Sequence, residues 1–180
     1  MPSPFCDERP SGVAVELLVV HAISLPPGCF GGTAIDDLFM GRLDPTRDPY
    51  FKQIVHLKVS SHFLVDRKGQ LTQYVPVLHR AWHAGQSQWR GRTRCNDFSI
   101  GVELEGDAQT PFQPIQYWRL AGLFRTLQRR LTALADDHVV GHQEIAPDRK
   151  WDPGPCFDWN FFWTILKETG PEPHLEPIWE

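Results

Sequence analysis

Residues 13–23 read VAVELLVVHAI, and this stretch determines the fold class that we predict for the chain. It is dense in β-branched and aliphatic residues, which is typical of a strand buried on both faces. Such strands lie in sheets that carry helices on both sides, so the pattern predicts an α/β fold. His21 lies at the downstream end of the stretch. It is either a hydrogen-bonded core residue or part of a site, because sites gather at strand ends in such sheets.

A β-hairpin is predicted downstream. Two apolar runs, at residues 60–65 and 71–77, flank a turn of sequence DRKG at residues 66–69. A glycine-containing turn between two such runs is a hairpin signal. We expect His62, in the first run, and His56, just before it, to be structural.

Helices are predicted from apolar residues that recur every three to four positions. Residues 114–134 give the longest such pattern. Shorter helices are expected at residues 33–40, directly after Asp48-Pro49, and at residues 159–167. Residues 78–85, LHRAWHAG, end in glycine and are expected to form a loop.

Size and composition fit one domain. The chain has 180 residues, of which 41% are apolar and 22% charged, as in ordinary globular proteins. We expect an extended arm at residues 1–12, the domain at residues 13–168 and a tail at residues 169–180. The net charge of −4 comes from interspersed charges, so we predict no nucleic-acid partner, which would need a clustered basic face.

Cysteines and apolar stretches indicate a cytoplasmic protein without a membrane partner. Four cysteines are spread without a close pair, which predicts neither a disulfide framework nor a cysteine zinc ribbon. The apolar run near residues 17–23 is far too short to cross a bilayer. The first residues, MPSPFCDERP, show no basic region followed by an apolar one, so no secretory signal is visible.

Two glutamates share one face of a predicted strand. In SIGVELEG, residues 99–106, the apolar residues alternate with Glu103 and Glu105. The two carboxylates therefore point the same way, and they repel each other unless they are solvated or paired with a cation. The strand either faces solvent or carries an acidic site. Alternation alone does not separate the roles of the two glutamates.

Residues 138–159, HVVGHQEIAPDRKWDPGPCFDW, bring an imidazole, an ammonium and a carboxylate together at His142, Lys150 and Asp152. Pro153 pushes the backbone of Asp152 out of the helical region. In an extended segment residues two apart point the same way, so Lys150 and Asp152 are expected on one side of the loop. This is either a loop that positions charged groups or a surface turn with a salt-bridging aspartate.

His21, His142 and Asp152 are candidate metal ligands, with Glu103 facing them and Lys150 close by. Two histidines, one carboxylate and a water would complete a tetrahedral zinc site with the open position that catalysis needs. The chain contains no H-E-x-x-H motif. The ligands would have to converge from separate strands and loops, and spacing alone leaves this open.

Five segments in the same order resemble the N-acetylmuramoyl-L-alanine amidases of the AmpD type. They read LLVVHAISLPPGCFGG, VSSHFLVDRKGQLTQYVP, RAWHAG, RCNDFSIGVELEG and GHQEIAPDRKWDPGPCFDW. The resemblance runs from about Pro2 to Trp159, and the wider group includes phage lysozyme-like amidases and peptidoglycan recognition proteins. It implies a single α/β domain with a central mixed β-sheet flanked by helices, so that residues 13–168 form a zinc amidase domain.

The resemblance also implies roles for individual residues. His21, His142 and Asp152 match the ligands of one zinc ion per chain. The implied reaction is hydrolysis of the amide that joins the lactyl group of muramic acid to L-alanine of the stem peptide. Glu103 matches the catalytic glutamate, which would take the water proton and deliver it to the leaving amine. Lys150 would stabilise the oxyanion, and Glu105 would have a supporting role.

Substrate contacts are expected from Trp82, His83, Arg94 and Lys58. Trp82 and His83 would line the groove for sugar or peptide, and the two cations would meet stem-peptide carboxylates. Two positions depart from the family pattern, since Ala22 stands where Asn is usual and Trp151 where Thr is usual. These departures affect the expected substrate recognition more than the expected catalysis.

A cytoplasmic enzyme of this kind would act, as a monomer, on small recycled fragments. The expected substrate is therefore a 1,6-anhydromuramoyl peptide, and the resemblance implies peptidoglycan recycling with indirect control of β-lactamase induction. One alternative is a non-catalytic muropeptide-binding module, the state of some relatives that have lost a zinc ligand. Another is a wall-cleaving amidase outside the cytoplasm, which would need a signal or lipid-attachment segment.

Overall fold

The computed structural model describes residues 2–172 and 175–180. The strands in these residues are β1 (Cys6–Glu8), β2 (Leu17–Ile23), β3 (Phe63–Val65), β4 (Leu71–Gln73), β5 (His79–Ala81), β6 (Gln88–Trp89), β7 (Arg92–Thr93), β8 (Ser99–Glu105) and β9 (Val139–Gly141). The helices are α1 (Ala34–Phe39), α2 (Phe51–Ile54), α3 (Pro114–Gln128), α4 (His142–Ile145) and α5 (Trp159–Glu168), with a 3₁₀ helix at Cys95–Asp97.

The central sheet is mixed and has the strand order β4-β3-β8-β2-β9. β3, β8, β2 and β9 run parallel to one another, and β4 pairs antiparallel with β3 in the predicted hairpin. β2 is buried on both faces, as predicted. Leu18 and Val20 pack into the core that α3 and α5 cover, and Leu17 and Val19 pack into a second core on the other face.

The parallel register brings the candidate site residues to one edge of the sheet. His21 in β2 lies opposite Glu103 in β8, and Val20 in β2 lies opposite Gly141, the last residue of β9. His142 follows Gly141 directly. Because the carboxyl ends of parallel strands meet at the same edge, ligands bind there in α/β sheets. The sheet therefore positions both histidines and the glutamate before any loop contributes.

Two predictions differ from the structure, the end of one helix and the assignment of one loop. The helix predicted over residues 114–134 ends at Gln128, where the Gln128 side-chain amide donates to Leu134 O at 2.8 Å and stabilises the turn that follows. Leu131 and Leu134 stay buried in that turn, so the apolar spacing continues past the helix. Residues 78–85 are only partly a loop, because β5 pairs antiparallel with β1. That partner comes from the N-terminus, so local signals could not indicate it.

The segments at both ends contact the body of the domain. In the N-terminal segment, Ser3 is buried and its hydroxyl donates to Phe39 O at 2.5 Å. Near the C-terminus, Ile178 O and Trp179 O accept hydrogen bonds from the backbone N–H groups of residues 77 and 78, each at 2.9 Å. The helices in the described ranges are all too short or too polar to cross a lipid bilayer.

Candidate metal centre and catalytic cavity

The three candidate metal ligands converge. His21 lies near the end of β2, His142 is the first residue of α4, and Asp152 lies in the loop beyond it. His21 Nδ1 and His142 Nδ1 are 3.0 Å apart, and each lies 3.1 Å from Asp152 Oδ2. All three side chains are buried. The separate elements that the sequence left unconnected thus present three ligand atoms to one point.

The spacing of these atoms fits a zinc ion. Ligand atoms about 2.0–2.1 Å from a tetrahedral zinc lie roughly 3.3 Å from one another. The atoms His21 Nδ1, His142 Nδ1 and Asp152 Oδ2 form a triangle with edges of 3.0, 3.1 and 3.1 Å, slightly shorter than that value. Two imidazoles and one carboxylate are a usual ligand set for catalytic zinc. The residues present therefore suit this metal in both chemistry and size.

The charge states also favour a cation at this point. Burial, followed by the nearby His142, lowers the pKa of His21 to about 4, so this imidazole is neutral at pH 7. Asp152 Oδ2 lies 3.1 Å from Nδ1 of each histidine. The site thus places a carboxylate against a neutral imidazole, and a metal cation can compensate the buried negative charge.

Glu103 lies beside the triangle with a free carboxylate oxygen. Glu103 as a whole residue is 9% exposed, and its Oε2 has no hydrogen-bond partner among the residues that the structure describes. Burial, followed by the charge of Asp152, raises its pKa well above the usual range, and Lys150 partly opposes that shift. A carboxyl group with a raised pKa can both accept and return a proton near neutral pH.

Glu105 has a different environment, although it shares the strand face with Glu103. Its carboxylate is buried and accepts backbone hydrogen bonds from Gly31 N and, at 3.1 Å, from Arg67 N. It therefore connects the loop after β2 to the hairpin turn. The solvent-facing alternative for this strand is wrong, because every residue of β8 is buried.

A cavity of about 800 Å³ opens at the triangle. Its lining includes His21, Glu103, His142, Lys150 and Asp152. Apolar residues from the segment after β2, from α1 and from around α2 also line the cavity. They are Leu25, Leu38, Phe39, Tyr50, Ile54, Leu57 and Val59. Sequence reasoning missed this group. Helical periodicity placed Ile54 in a helix but gave no signal that the helix borders a cavity.

One of the four residues predicted to contact substrate lines the cavity, and three do not. His83 lines the cavity, as do the two departures from the family pattern, Ala22 and Trp151. The lining does not include Trp82, Arg94 or Lys58.

Each of these three residues lies elsewhere. The Trp82 indole donates to Asp7 Oδ1 at 3.1 Å and stacks on Phe5. Arg94 is exposed, lies 3.1 Å from Asp97 and borders a separate cavity of about 710 Å³. Lys58 is exposed between two residues that line the cavity at the candidate ligands. Substrate contacts by these three side chains stay predictions.

Comparison with known proteins gives a consistent result. The family model described as N-acetylmuramoyl-L-alanine amidase matches residues 11–155. A relative from Enterobacter cloacae, 1,6-anhydro-N-acetylmuramyl-L-alanine amidase AmpD, is 53% identical over 166 residues, which are 92% of this chain and 88% of the relative.

Two solved structures are similar. A crystal structure of a selenomethionine AmpD derivative has a TM-score of 0.89 and 52% identity, with 92% of each chain covered. The amidase AmiD from Escherichia coli, solved with anhydro-N-acetylmuramic acid-L-Ala-D-γ-Glu-L-Lys, has a TM-score of 0.61 and 32% identity. That match covers 88% of this chain and 60% of the AmiD chain.

Proposed function

The chain belongs to the N-acetylmuramoyl-L-alanine amidase family and is an amidase of this kind, and from this we propose a zinc-dependent reaction at the cavity described above. The substrate would be a 1,6-anhydro-N-acetylmuramoyl peptide, cleaved between the lactyl group and L-alanine. The observation that carries the proposal is the convergence of His21, His142 and Asp152 beside the unpartnered Glu103 oxygen. The similar AmiD structure, which holds an anhydromuramoyl peptide, supports the substrate class.

His21, His142 and Asp152 would hold one zinc ion per chain. Zinc at such a site supplies a Lewis acid that makes water more acidic and polarises a carbonyl group. Glu103 would remove the water proton and later deliver it to the leaving alanine amine. Its free Oε2 and raised pKa suit both steps.

Lys150 would stabilise the negative charge that develops on the carbonyl oxygen. It is half-buried and lines the cavity close to the ligands. An ammonium group in a partly buried site acts more strongly on such a charge than it would in water.

We further propose that the amidase acts in the cytoplasm on recycled peptidoglycan fragments and thereby influences β-lactamase induction indirectly. The relatives named for 1,6-anhydro substrates support this context. All four cysteines are free thiols, the usual state in a reducing compartment. Immunodetection in fractionated cells would test the location, and an exclusively periplasmic signal would contradict it.

Replacing Lys150 by methionine is expected to lower kcat by about 10²–10³-fold, as the loss of an oxyanion donor does in other hydrolases. KM should change little, because the interaction forms mainly in the transition state. Steady-state kinetics would measure both constants. Lys150→Arg, which keeps the charge, should recover part of the rate. A raised KM with unchanged kcat would instead assign Lys150 to substrate binding.

The proposed function is tested by hydrolysis of anhydromuramoyl-tripeptide with purified protein, before chelation, after chelation and after zinc return. We expect peptide release to disappear on chelation and to return with zinc. Tight binding of the tripeptide without release would support the non-catalytic binding module instead. If the protein neither binds the tripeptide nor releases the peptide, both functions are contradicted. Peptide release that chelation does not affect would contradict the zinc site.

A further inference from the structure

One short segment, His83-Ala84, contacts both histidines of the triangle on the side away from the ligand point. His142 Nε2 lies 3.1 Å from Ala84 O, and His21 Nε2 lies 2.9 Å from His83 Nδ1. The segment is itself fixed, because Asn96 Oδ1 accepts from His83 N at 3.2 Å and from Ala84 N at 2.8 Å.

The hydrogen bond to Ala84 O defines which ring nitrogen of His142 carries a proton. A carbonyl oxygen only accepts, so Nε2 of His142 carries a proton that points to Ala84 O. A histidine binds a metal as the neutral imidazole, and Nδ1 of His142 is then the nitrogen that presents a lone pair to the ligand point.

The tautomer of His21 is fixed through two more residues. Ser99 Oγ donates to Cys95 O at 2.6 Å and also lies 3.2 Å from His83 Nε2. Because its proton is used on that carbonyl, Ser99 accepts from His83, which places the His83 proton on Nε2. Nδ1 of His83 must then accept from Nε2 of His21. Nδ1 of His21 is left with a lone pair that points to the same place as that of His142.

The sequence of β8 makes room for this arrangement. Ser99, Gly101 and Glu103 alternate along one strand face. A Cβ at position 101 would lie 2.5 Å from Cγ of His83, so only glycine leaves space for the imidazole. One face of one strand thus provides the anchor for His83, the space for its ring and the proposed catalytic carboxylate.

We propose that His83 is a positioning residue for the metal site, and that the chain Cys95 O, Ser99, His83 holds His21 in the tautomer that binds zinc. This inference rests on the proposed zinc site. Both ring nitrogens of His83 are engaged within the protein, so neither is free to form a hydrogen bond with a substrate.

Zinc affinity, measured by competition with a chromophoric chelator, tests the proposal without reference to turnover. His83→Leu removes the acceptor for His21 and should raise the zinc Kd about 10–100-fold, as the loss of such supporting partners does in other zinc sites. His83→Asn keeps an acceptor oxygen near the Nδ1 position and should recover most of the affinity. Gly101→Ala displaces the His83 ring and should weaken binding in the same direction.

His138→Leu is the matched control. His138 is also partly buried, packs edge-on against an aromatic ring and has both nitrogens engaged, by Glu16 O and Arg90. The His138→Leu substitution should lower the stability of the protein without changing the zinc Kd. An unchanged Kd in His83→Leu, beside tight binding by the wild type, overturns this inference alone. No zinc binding by the wild type overturns the proposed function as well.

If the leucine variant does not fold, two-bond ¹H–¹⁵N spectra of the zinc-loaded wild type decide the question. We expect the proton of His83 on Nε2. A proton on Nδ1 would overturn the proposal, because that nitrogen could not accept from His21.

Discussion

Replacing Glu103 by glutamine is expected to lower kcat by about 10³–10⁴-fold, the upper part of the range for general acid–base catalysis. The same carboxyl group would have to take the proton from water and return it to the leaving amine, so its loss affects both steps. No other carboxylate in the described cavity lining can substitute for it. Asp152 is engaged with both histidines, and Asp107 Oδ1 accepts from the backbone N–H groups of residues 109 and 110.

The glutamine variant should bind zinc as the wild type does and should be at least as stable. Glutamine has nearly the same shape, and it removes an ionisable group that is buried with one oxygen unpartnered. Activity, zinc content and thermal melting of the same preparation would be measured together. Loss of zinc along with activity would assign Glu103 to the metal site rather than to proton transfer.

Glu105→Gln is the matched control, because Glu105 is also buried and lies on the same face of β8. Its two backbone hydrogen bonds hold loops. The substitution should therefore change kcat by less than about tenfold, while Tm falls, because it weakens one of these two backbone hydrogen bonds. A loss as large as that of Glu103→Gln would contradict the assignment of the two glutamates.

Local sequence patterns predicted the elements that position the site, but they did not predict how those elements meet. The apolar run of β2 and the alternation in β8 each follow from burial on a sheet, and both are observed. That His21 lies opposite Glu103 depends on the register between strands that are far apart in the chain. The residue types alone suggested that Glu103 faces His21, but spacing left their convergence open until the resemblance to a known family supported it.

The surroundings of the ligands were harder to predict for a physical reason. His83 was expected to line the groove for sugar or peptide, on the basis of its residue type and the family resemblance. Its actual partners are His21 and Ser99, and both are remote in sequence. Gly101 shows the same limit. An isolated glycine inside a strand indicates a close approach, but the sequence does not name the ring that approaches.

Replacing Asp152 by asparagine is expected to abolish zinc binding at ordinary metal concentrations and to abolish hydrolysis with it. Loss of a supporting partner lowers zinc affinity about 10–100-fold, so loss of a ligand charge should exceed 100-fold. The amide can place its N–H group toward the two imidazoles, whose Nδ1 atoms lie 3.1 Å from the present Oδ2. The variant should therefore fold without metal.

Thermal melting separates this result from simple unfolding. Zinc at about 100 times its Kd stabilises a folded protein by about 2.7 kcal/mol. For a domain of this size that should raise the Tm of the wild type by roughly 5–10 °C. Asp152→Asn should melt near the zinc-free wild type and should not respond to zinc. Asp107→Asn changes another buried carboxylate of the same cavity and should keep the full zinc response. A zinc-dependent rise in Tm for Asp152→Asn would show that the metal is held elsewhere, because the two histidines alone would leave the site without its only charged ligand.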